Sequence, residues 1–480
     1  WTNTFSTADI YGNLNPGGVS STGILTLNGN TIFRNASSTD FEVQLNGTAP
    51  GTGHDQLVID GSLELTGDLE VTLGYTPAVG ESFTIINNAS TNATTGAFNG
   101  LSEGSLFSVG SQVFSITYQG GTDSNDVVLT RVLAGEWDGG GTDDNWTTAE
   151  NWVGDIVPAP YANLIFPNSA ARKSNINDFS AGMSIGSILI SGSSYSLSGN
   201  PINLTGSVSS NAFGNAFSIP VQLGSAGGFN STSSTFTVSS AIDTNGQDLN
   251  LGASGGTLLM TGVISGSGNV NTSGSSTVAL AGNNSYTGET RVGGSVLAAQ
   301  HDQALGSGDN TTATGTIITG TNSSLQLENG VTISNERLTS TTSTALFLNS
   351  TGNNLTNTWT GDIVSGNTSH IYLRPLSSNN RLQLNGAVTT GHPSYQVIVQ
   401  GTSTGITEIN GTLTANRLNV SEGTVELNGT SATTNGLYVD SSFGDRLSGT
   451  GTFNWTNTFS TADIYGNLNP GGVSSTGILT

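Results

Sequence analysis

One short motif recurs along the chain and limits the folds that the chain can adopt. Two apolar residues stand on alternate positions and are followed by Asn-Gly or by another residue and glycine. Alternation with a period of two is typical of a half-buried strand, and the glycine predicts a turn with positive φ. Many copies are roughly 18 to 25 residues apart, as in the coils of a β-solenoid. Clear copies end at Gly29, Gly47, Gly67, Gly206, Gly282, Gly386 and Gly429.

Two other folds remain open at this point. Asn-Gly between strands is also a hairpin signal, which would give a string of immunoglobulin-like sandwiches. Only 9% of the residues are charged, against about 25% in ordinary domains, so disorder is a further alternative. The strands are very short, the turns are dense and no helical periodicity is present. We therefore expect an all-β chain that forms a right-handed parallel β-helix, which is a β-solenoid.

A long exact repeat organises the sequence on a larger scale. Residues 1–26 recur without a change as residues 455–480, an offset of 454 residues. We expect this offset to be the period of a tandem array, in which similar modules elongate the molecule. The chain opens on Trp1 rather than on an initiator Met or a signal segment, so we expect it to be a fragment of a longer protein.

Composition excludes several classes of partner and of stabilising device. The chain has no cysteine, so neither disulfides nor thiolate metal sites contribute to the fold. A net charge of −23, with Lys173 the single lysine, argues against binding to nucleic acid or to an anionic membrane. No run of about 18 apolar residues is present that could span a membrane. The expected location is extracellular, at a bacterial cell surface.

Three segments carry a resemblance to a known family. Residues 255–308 include a run in which every second residue from Leu280 to Val292 follows a fixed pattern of leucine, glycine, asparagine, tyrosine, glycine, threonine and valine. Residues 11–132 and the Trp-rich segment 137–152 have further motifs of the same kind. These segments resemble the autotransporter-associated β-strand repeat proteins, which are secreted bacterial passenger proteins. The resemblance implies secretion, a β-helical shaft and a surface role, and it transfers no catalytic residue.

The resemblance also implies a division of the chain. It places the closing part of one passenger-like module before a joint at residues 133–135, and the Trp-rich opening of the next module after that joint. The expected divisions are residues 1–132 (closing part), 133–157 (joint and opening), 158–308 (β-helix with the family repeat), 309–454 (β-helix continuation) and 455–480 (start of the next copy).

Two acidic segments are candidate calcium sites. Asp138, Asp143 and Asp144 lie in one glycine-rich loop, where carboxylate and carbonyl oxygens could bind calcium. Residues 120–128 are similar to one unit of the calcium-binding nonapeptide repeats. The alternative for both is local hydrogen bonding in turns, which is the common role of aspartate beside glycine. No other cofactor is expected.

Three tryptophans stand close together after the expected joint. Trp137, Trp146 and Trp152 could form an aromatic platform that binds sugar, or they could plug the end of a narrow solenoid core at the joint between modules. The plug is the more ordinary role for large aromatic residues in such a fold.

Catalysis has little support in the sequence. A polysaccharide-degrading β-helix enzyme would need paired carboxylates, and the candidates Asp243, Asp248 and Glu289 stand in undistinguished surroundings. The four histidines lie in polar stretches and are expected at the surface: His54, His301, His370 and His392. We expect a structural, non-catalytic fibre whose partners are neighbouring copies of the module, end to end or in lateral bundles. The alternatives are a glycan-binding or cell-binding adhesin and, less favoured, the enzyme.

Overall fold

Parallel coils of β-strand make up almost the whole structure. In the computed structural model they form a β-solenoid of about 20 turns, which confirms the predicted β-helix. Two compact units divide the chain, one with residues 1–193 and 204–211 and the other with residues 194–203 and 212–480. The described residues are 7–18, 20–34, 40–78, 80–110, 112–131, 134–153, 155, 157–158, 160–341, 344–366, 369–441, 444–455 and 462–470.

Some of the sequence predictions fall outside those residues. Trp1 lies outside them, and so do residues 132 and 133 at the expected joint. Of the two identical segments, residues 7–18 and 20–26 are described in the first copy, and residues 455 and 462–470 in the second.

The first unit begins with a three-sided stack of parallel strands. Strands β2, β5 and β8 lie side by side on one face, strands β1, β3, β6 and β9 on the second, and β4 and β7 on the third. The strands are β1 (Thr7–Ile10), β2 (Ile24–Asn28), β3 (Asn30–Phe33), β4 (Asp40–Leu45), β5 (Gln56–Asp60), β6 (Leu63–Leu65), β7 (Asp68–Leu73), β8 (Ser82–Asn88) and β9 (Thr94–Gly96).

An antiparallel meander closes this stack. Strand β12 pairs antiparallel with the last coil strand β8, and β11 and β10 follow it in the same sheet. The strands are β10 (Leu106–Val109), β11 (Gln112–Gly120) and β12 (Asp126–Arg131). A change from parallel to antiparallel pairing ends the stack, because a meander cannot accept a further coil in the same register.

A second series of coils starts within the same unit. Strand β13 pairs in parallel with β14, β14 with β17, and β17 with β20. One short 3₁₀ helix, Ala149–Asn151, lies between β13 and β14. The strands of this part of the chain are β13 (Ala134–Glu136), β14 (Asn163–Phe166), β15 (Ser174–Asn177), β16 (Met183–Ile185), β17 (Ile188–Ile190), β18 (Ser196–Gly199), β19 (Ile202–Leu204) and β20 (Ser207–Ser210).

The second unit repeats a three-sided coil many times. Its coils vary from 18 residues, from Leu413 to Ser431, to 28 residues, from Val296 to Ser324. The variation lies in the turns, since each strand keeps its in-register parallel partner. Its earlier strands are β21 (Ala216–Phe217), β22 (Val221–Leu223), β23 (Gly227–Ser231), β24 (Phe236–Val238), β25 (Ile242–Asp243), β26 (Leu249–Ala253), β27 (Thr257–Met260), β28 (Ile264–Ser265), β29 (Val270–Gly274), β30 (Thr277–Leu280), β31 (Thr290–Val292), β32 (Val296–Ala299), β33 (Thr316–Ile318), β34 (Ser324–Leu327), β35 (Thr332–Ile333) and β36 (Leu338–Ser340).

The remaining strands continue the three faces of the second unit to its end. The faces end with β51, β52 and β53, which pair in parallel with β48, β49 and β50. The strands are β37 (Leu346–Ser350), β38 (Thr356–Trp359), β39 (Ile363–Val364), β40 (Ile371–Pro375), β41 (Arg381–Leu384), β42 (Val388–Thr389), β43 (Val397–Gln400), β44 (Ile406–Ile409), β45 (Leu413–Ala415), β46 (Leu418–Glu422), β47 (Thr424–Leu427), β48 (Thr430–Thr433), β49 (Leu437–Val439), β50 (Arg446–Gly449), β51 (Thr452–Trp455), β52 (Ala462–Ile464) and β53 (Asn467–Pro470).

Apolar side chains form continuous columns inside the coils. Leu258, Val278, Leu297 and Leu325 are register partners in four successive strands, and all four are buried. The predicted alternation is therefore confirmed, and parallel pairing shows that the sandwich alternative was wrong. Each column buries apolar surface continuously, which is the main stabilising contribution in such a stack.

The glycines of the motif have a different role from the predicted one. Of the seven, only Gly29 and Gly67 have positive φ, so the predicted turn conformation was wrong for the other five. At Gly386, Gly411 and Gly429 an added Cβ would lie about 2 Å from the carbonyl oxygen of the glycine one coil earlier. These glycines are needed because the coils approach closely there.

An asparagine ladder lies beside this glycine row. The side-chain amide of Asn410 donates to Asn385 at 2.9 Å, and that of Asn428 donates to Asn410 at 3.0 Å. Stacked asparagines satisfy one another's amide groups from coil to coil. The Asn-Gly pair thus serves the contact between coils, with asparagine outside and glycine at the closest approach.

Replacing Gly411 by alanine should destabilise the second unit by about 1–3 kcal/mol, the usual cost of overpacking. The reason is that the new Cβ would meet the Gly386 carbonyl oxygen at 2.0 Å. Gly12→Ala is the matched control, because a Cβ there has open space and no positive φ to oppose it. Urea denaturation of both variants checks this, and equal midpoints for the two would contradict the close-approach explanation.

Candidate functional site

Three tryptophans form an aromatic cluster where the second series of coils begins. Trp137 follows β13 and makes an antiparallel bridge to Trp152, and their ring centroids lie 5.2 Å apart. Trp146 lies 6.1 Å from Trp152 and also packs on Phe166 and Phe179. All three indole side chains are fully buried.

Each indole N–H in this cluster has a hydrogen-bond acceptor inside the protein. Trp137 donates to the Arg172 carbonyl oxygen, Trp146 to the Asn175 side chain and Trp152 to the Trp146 carbonyl oxygen, all at 2.8 Å. A sugar platform needs an exposed ring face, and these buried rings offer none. The burial of the three rings and the hydrogen bonds of their N–H groups favour the prediction that these tryptophans plug the end of the core beside β13.

The acidic loop beside the cluster is held by local bonds. Asp138 accepts from the Gly140 N–H at 2.9 Å, and Asp143 accepts from the Asn145 N–H at 3.1 Å. A hydrogen bond from Thr148, followed by the one from the Asn145 N–H, lowers the pKa of Asp143. Asp144 forms an ion pair with Arg172 at 3.2 Å. These contacts account for the positions of the three carboxylates without a metal. Calcium binding in this loop stays a prediction.

The antiparallel meander contacts the outside of the second series of coils. Ile165 and Leu189 alternate with core residues of β14 and β17 and therefore point outward, yet both are buried together with Val113 of β11. The Ser187 hydroxyl donates to the Gly104 carbonyl oxygen at 3.0 Å. An apolar contact and a hydrogen bond thus connect the end of one stack to the next within the first unit.

The segment that resembles a calcium-binding nonapeptide lies in this meander. Gly120 and Asp126 are paired across the antiparallel turn between β11 and β12. The Asp126 carboxylate accepts from the Asn88 backbone N–H at 2.9 Å, and burial raises its pKa. Nonapeptide sites are shared between successive parallel repeats, and an antiparallel turn does not provide that arrangement.

The carboxylates considered for catalysis are engaged with their neighbours. Asp243 accepts from the Asn245 N–H at 2.9 Å, and Asp248 accepts from the Asn269 side-chain amide at 3.0 Å. Glu289 forms an ion pair with Arg291 at 2.6 Å. Within the described part of the chain, no group of three or more His, Cys, Asp or Glu side chains could hold a metal ion.

One histidine departs from the expected surface position. His54 is buried, with its ring 5.5 Å from that of Phe83, and burial lowers its pKa. The surface prediction was wrong there because His54 ends a turn in which its N–H donates to the Ala49 carbonyl oxygen, and the ring lies inward, where Nδ1 contacts the Gly47 carbonyl oxygen at 3.3 Å. His392 is exposed, and His301 and His370 are half-buried.

A buried carboxyl that the sequence did not single out lies in the second unit. Glu336 is 1% exposed, and its Oε1 accepts from the Thr316 hydroxyl at 2.7 Å. Its Oε2 is buried without a hydrogen-bond partner. Burial, with a smaller contribution from Asp309, raises the pKa of Glu336 to about 8. A single glutamate in a polar turn has no pattern that would reveal this burial.

Glu336 adjoins a buried polar column. Thr316, its hydroxyl partner, is the register neighbour of Thr290, and the Tyr286 hydroxyl lies 2.6 Å from the Thr290 hydroxyl. All of these side chains are buried. Since a buried ionised carboxylate is costly, a neutral Glu336 fits this column best at neutral pH.

The geometry as a whole defines a β-solenoid protein. Its buried aromatic cluster, meander and polar ladders serve the contacts between coils. Comparison with protein-family models, curated proteins and solved structures found no match. The resemblance to autotransporter-associated repeat proteins therefore rests on the sequence motifs alone. None of the described residues form a helix long and apolar enough to span a membrane.

Glu336→Gln should make the protein less sensitive to pH. The folded pKa of about 8 lies above the ordinary value of 4.5. The stabilising effect of the proton is therefore complete below pH 4.5 and is lost as the pH rises through 8. Because a tenfold change in proton affinity equals about 1.4 kcal/mol, the loss is on the order of a few kcal/mol.

Thermal unfolding between pH 4 and pH 9 measures this effect. The Gln variant should keep more of its stability at pH 8 than the unmodified protein does. Glu150→Gln, at an exposed position, is the control and should leave the pH profile unchanged. A profile that is the same in all three proteins would contradict the neutral carboxyl.

Proposed function

We propose that this chain is part of the shaft of a large extracellular fibre at a bacterial cell surface. The fibre is built from tandem β-solenoid modules with a period of 454 residues, and its role is structural rather than catalytic. Its partners are neighbouring copies of the same module, end to end, and parallel fibres can bundle laterally. The observation that carries the proposal is the solenoid itself together with the exact repeat of residues 1–26 at 455–480.

The use of polar side chains supports a structural role. Where they are described, the Asn, Ser and Thr side chains bond mainly to the coil before or after them, as in the ladder through Asn385, Asn410 and Asn428. Of the carboxylates considered for catalysis, Asp243 and Asp248 accept from side chains of adjacent coils, and Glu289 pairs with Arg291 two residues along the chain. A chain that uses its polar groups to join coils gains length and stiffness, and it keeps few groups free to act on a substrate.

The joint within the first unit supports a stiff shaft. The contact among Val113, Ile165 and Leu189 and the hydrogen bond from Ser187 to Gly104 restrict motion between the two stacks. Independent beads would need a flexible linker of some length. The two stacks contact each other directly, so the joint transmits bending force.

Electron microscopy of a protein with two full periods tests the shaft. We expect straight rods whose length increases by a constant amount for each added period, because buried joints resist bending. Oriented fibres should give a strong reflection near 4.8 Å along the long axis, the spacing between strands. Rods made of freely hinged globular beads would overturn the proposal.

A half-buried aromatic group favours adhesion as a second function. Phe347 and Tyr372 are outward register neighbours in β37 and β40, with stacked rings 4.7 Å apart. Tyr395 lies 5.2 Å from His370 and 5.9 Å from His392. Aromatic faces beside polar groups are the usual means of binding the apolar faces of sugars.

A glycan array probed with the 480-residue chain tests adhesion. Binding that is lost in Tyr372→Ala would support it, because this change removes a stacked ring from the aromatic group. Tyr161→Ala is the matched control, since Tyr161 is 66% exposed and lies in the other unit. No glycan signal, or a signal that Tyr372→Ala leaves intact, would reject adhesion through this surface.

A further inference from the structure

The two identical segments form edge strands, the first copy in the first unit and the second copy in the second unit. Strand β1 in the first copy includes Ala8–Ile10, and β52 in the second copy is Ala462–Ile464, the same three residues one period later. Strand β1 pairs with the coil that follows it, through Ile10 and Phe33. Strand β52 pairs with the coil that precedes it, through Val439 and Ile464. One sequence thus accepts a parallel neighbour on either side.

The third face has the same arrangement a few residues later. Leu14 makes a parallel bridge to Phe41 in the following coil. Its second copy, Leu468, is the register partner of Leu447 in the preceding coil. Phe41 and Leu447 are both buried core residues. One column of buried apolar residues ends at Phe41 and the other at Leu447. Both columns therefore continue to the same position of the repeat, which is Leu14 in the first copy and Leu468 in the second.

The two sets of neighbours use different backbone groups. Towards the following coil, the Leu14 N–H donates to the Asp40 carbonyl oxygen and the Leu14 carbonyl accepts from Glu42, both at 2.9 Å. Towards the preceding coil, the N–H of Asn467, which is the second copy of Asn13, donates to the Asp445 carbonyl oxygen at 2.8 Å. In a parallel sheet, alternate residues bond to opposite neighbours. Both coils can therefore bind one segment at once.

The second face, which contains β1, follows the same rule. The Ile10 carbonyl accepts from the Arg34 N–H in the following coil at 2.9 Å. The N–H of Tyr465, the second copy of Tyr11, donates to the Val439 carbonyl oxygen in the preceding coil at 2.9 Å. No N–H or carbonyl group of the repeated segment takes part in two of these hydrogen bonds.

The exposed fractions of the apolar side chains show that the core is incomplete at the edge strands of both copies. Leu14 and Ile10 are partly buried against the core of the first stack. Among the described residues no coil follows their second copies, and Leu468 is 49% and Ile464 37% exposed. Leu25 and Leu27 of the edge strand β2 are likewise only partly buried against this core. An open, apolar sheet edge of this kind normally has a partner.

We infer that successive periods fuse in register at this segment, so that the boundary of the repeat lies inside an uninterrupted stack of coils. The end formed by β51, β52 and β53 continues into a second copy of this chain, and residues 8–16 of that copy are the segment at which the two copies join. In the fused stack, columns run from Val439 through Ile10 to Phe33 and from Leu447 through Leu14 to Phe41. The inference rests on the tandem array proposed above.

Hydrogen exchange compares the 480-residue chain with a chain extended by one further period. In the extended chain the amides of Ile464 and Leu468 should bond to the coil that follows, so their exchange should slow by at least about tenfold. The amides of Tyr465 and Asn467, which are already bonded to the preceding coil, should change much less. Equal exchange of Ile464 and Leu468 in both chains would overturn the inference.

Leu468→Asp gives an independent test with a built-in control. In the 480-residue chain the side chain is half exposed, so the melting temperature should hardly change. In the extended chain the same residue should be buried between Leu447 and the second copy of Phe41, and the aspartate should restore fast exchange at Ile464. Leu355→Asp, at a leucine that is 40% exposed away from both ends, should affect the two chains equally.

The outcomes separate this inference from the shaft proposal. Straight rods with unprotected Ile464 and Leu468 amides would leave the shaft standing and reject fusion in register. Hinged beads with protected amides would support fusion and reject the stiff shaft. Equal effects of Leu468→Asp in the two chains would also reject fusion.

Discussion

Hydrogen bonding between parallel coils is the constraint on which the rest of the structure depends. Each coil has backbone N–H and C=O groups that only its neighbours can satisfy, so every coil needs another on both sides. The first unit meets this need at one end with the antiparallel meander that covers β8. The buried cluster of Trp137, Trp146 and Trp152 lies where β13 begins the second series of coils. In our proposal, the segment shared by residues 1–26 and 455–480 meets the same need at the boundary of the repeat.

Close stacking also explains the unusual composition. Register partners lie about 4.8 Å apart, so a column of like charges would repel, whereas a column of asparagines bonds to itself. Glu408 and Glu426 are such like-charged partners in adjacent coils. Arg381 bridges both of them, at 2.8 Å and 2.6 Å. Asp40 and Asp68, and Glu42 and Glu70, are two further like-charged pairs in β4 and β7. In many other columns Asn, Ser and Thr stand in place of charged residues, and glycine stands where two coils come closest.

The functional proposal follows from where the polar groups are used. Carboxylates such as Asp248 and Glu289 bond to neighbouring side chains, and Glu336 lies inside the core. Buried polar groups in a stack make each coil specific for its register, because a slipped coil would leave a hydroxyl or carboxyl unpaired. Thr316 and Glu336 provide one such contact.

The sequence by itself determined the strand pattern and the absence of disulfides, and it predicts the period of the proposed array. Alternation at Leu382 and Leu384 predicts two inward side chains, and both are buried. Such periodicity is visible because it belongs to contiguous residues. Only the tertiary structure decided why Gly411 is glycine, that His54 is buried, that β10 to β12 run antiparallel and that Glu336 is enclosed. These features depend on contacts between coils, whose residues are usually about twenty positions apart in the chain, and no local pattern records which of them meet.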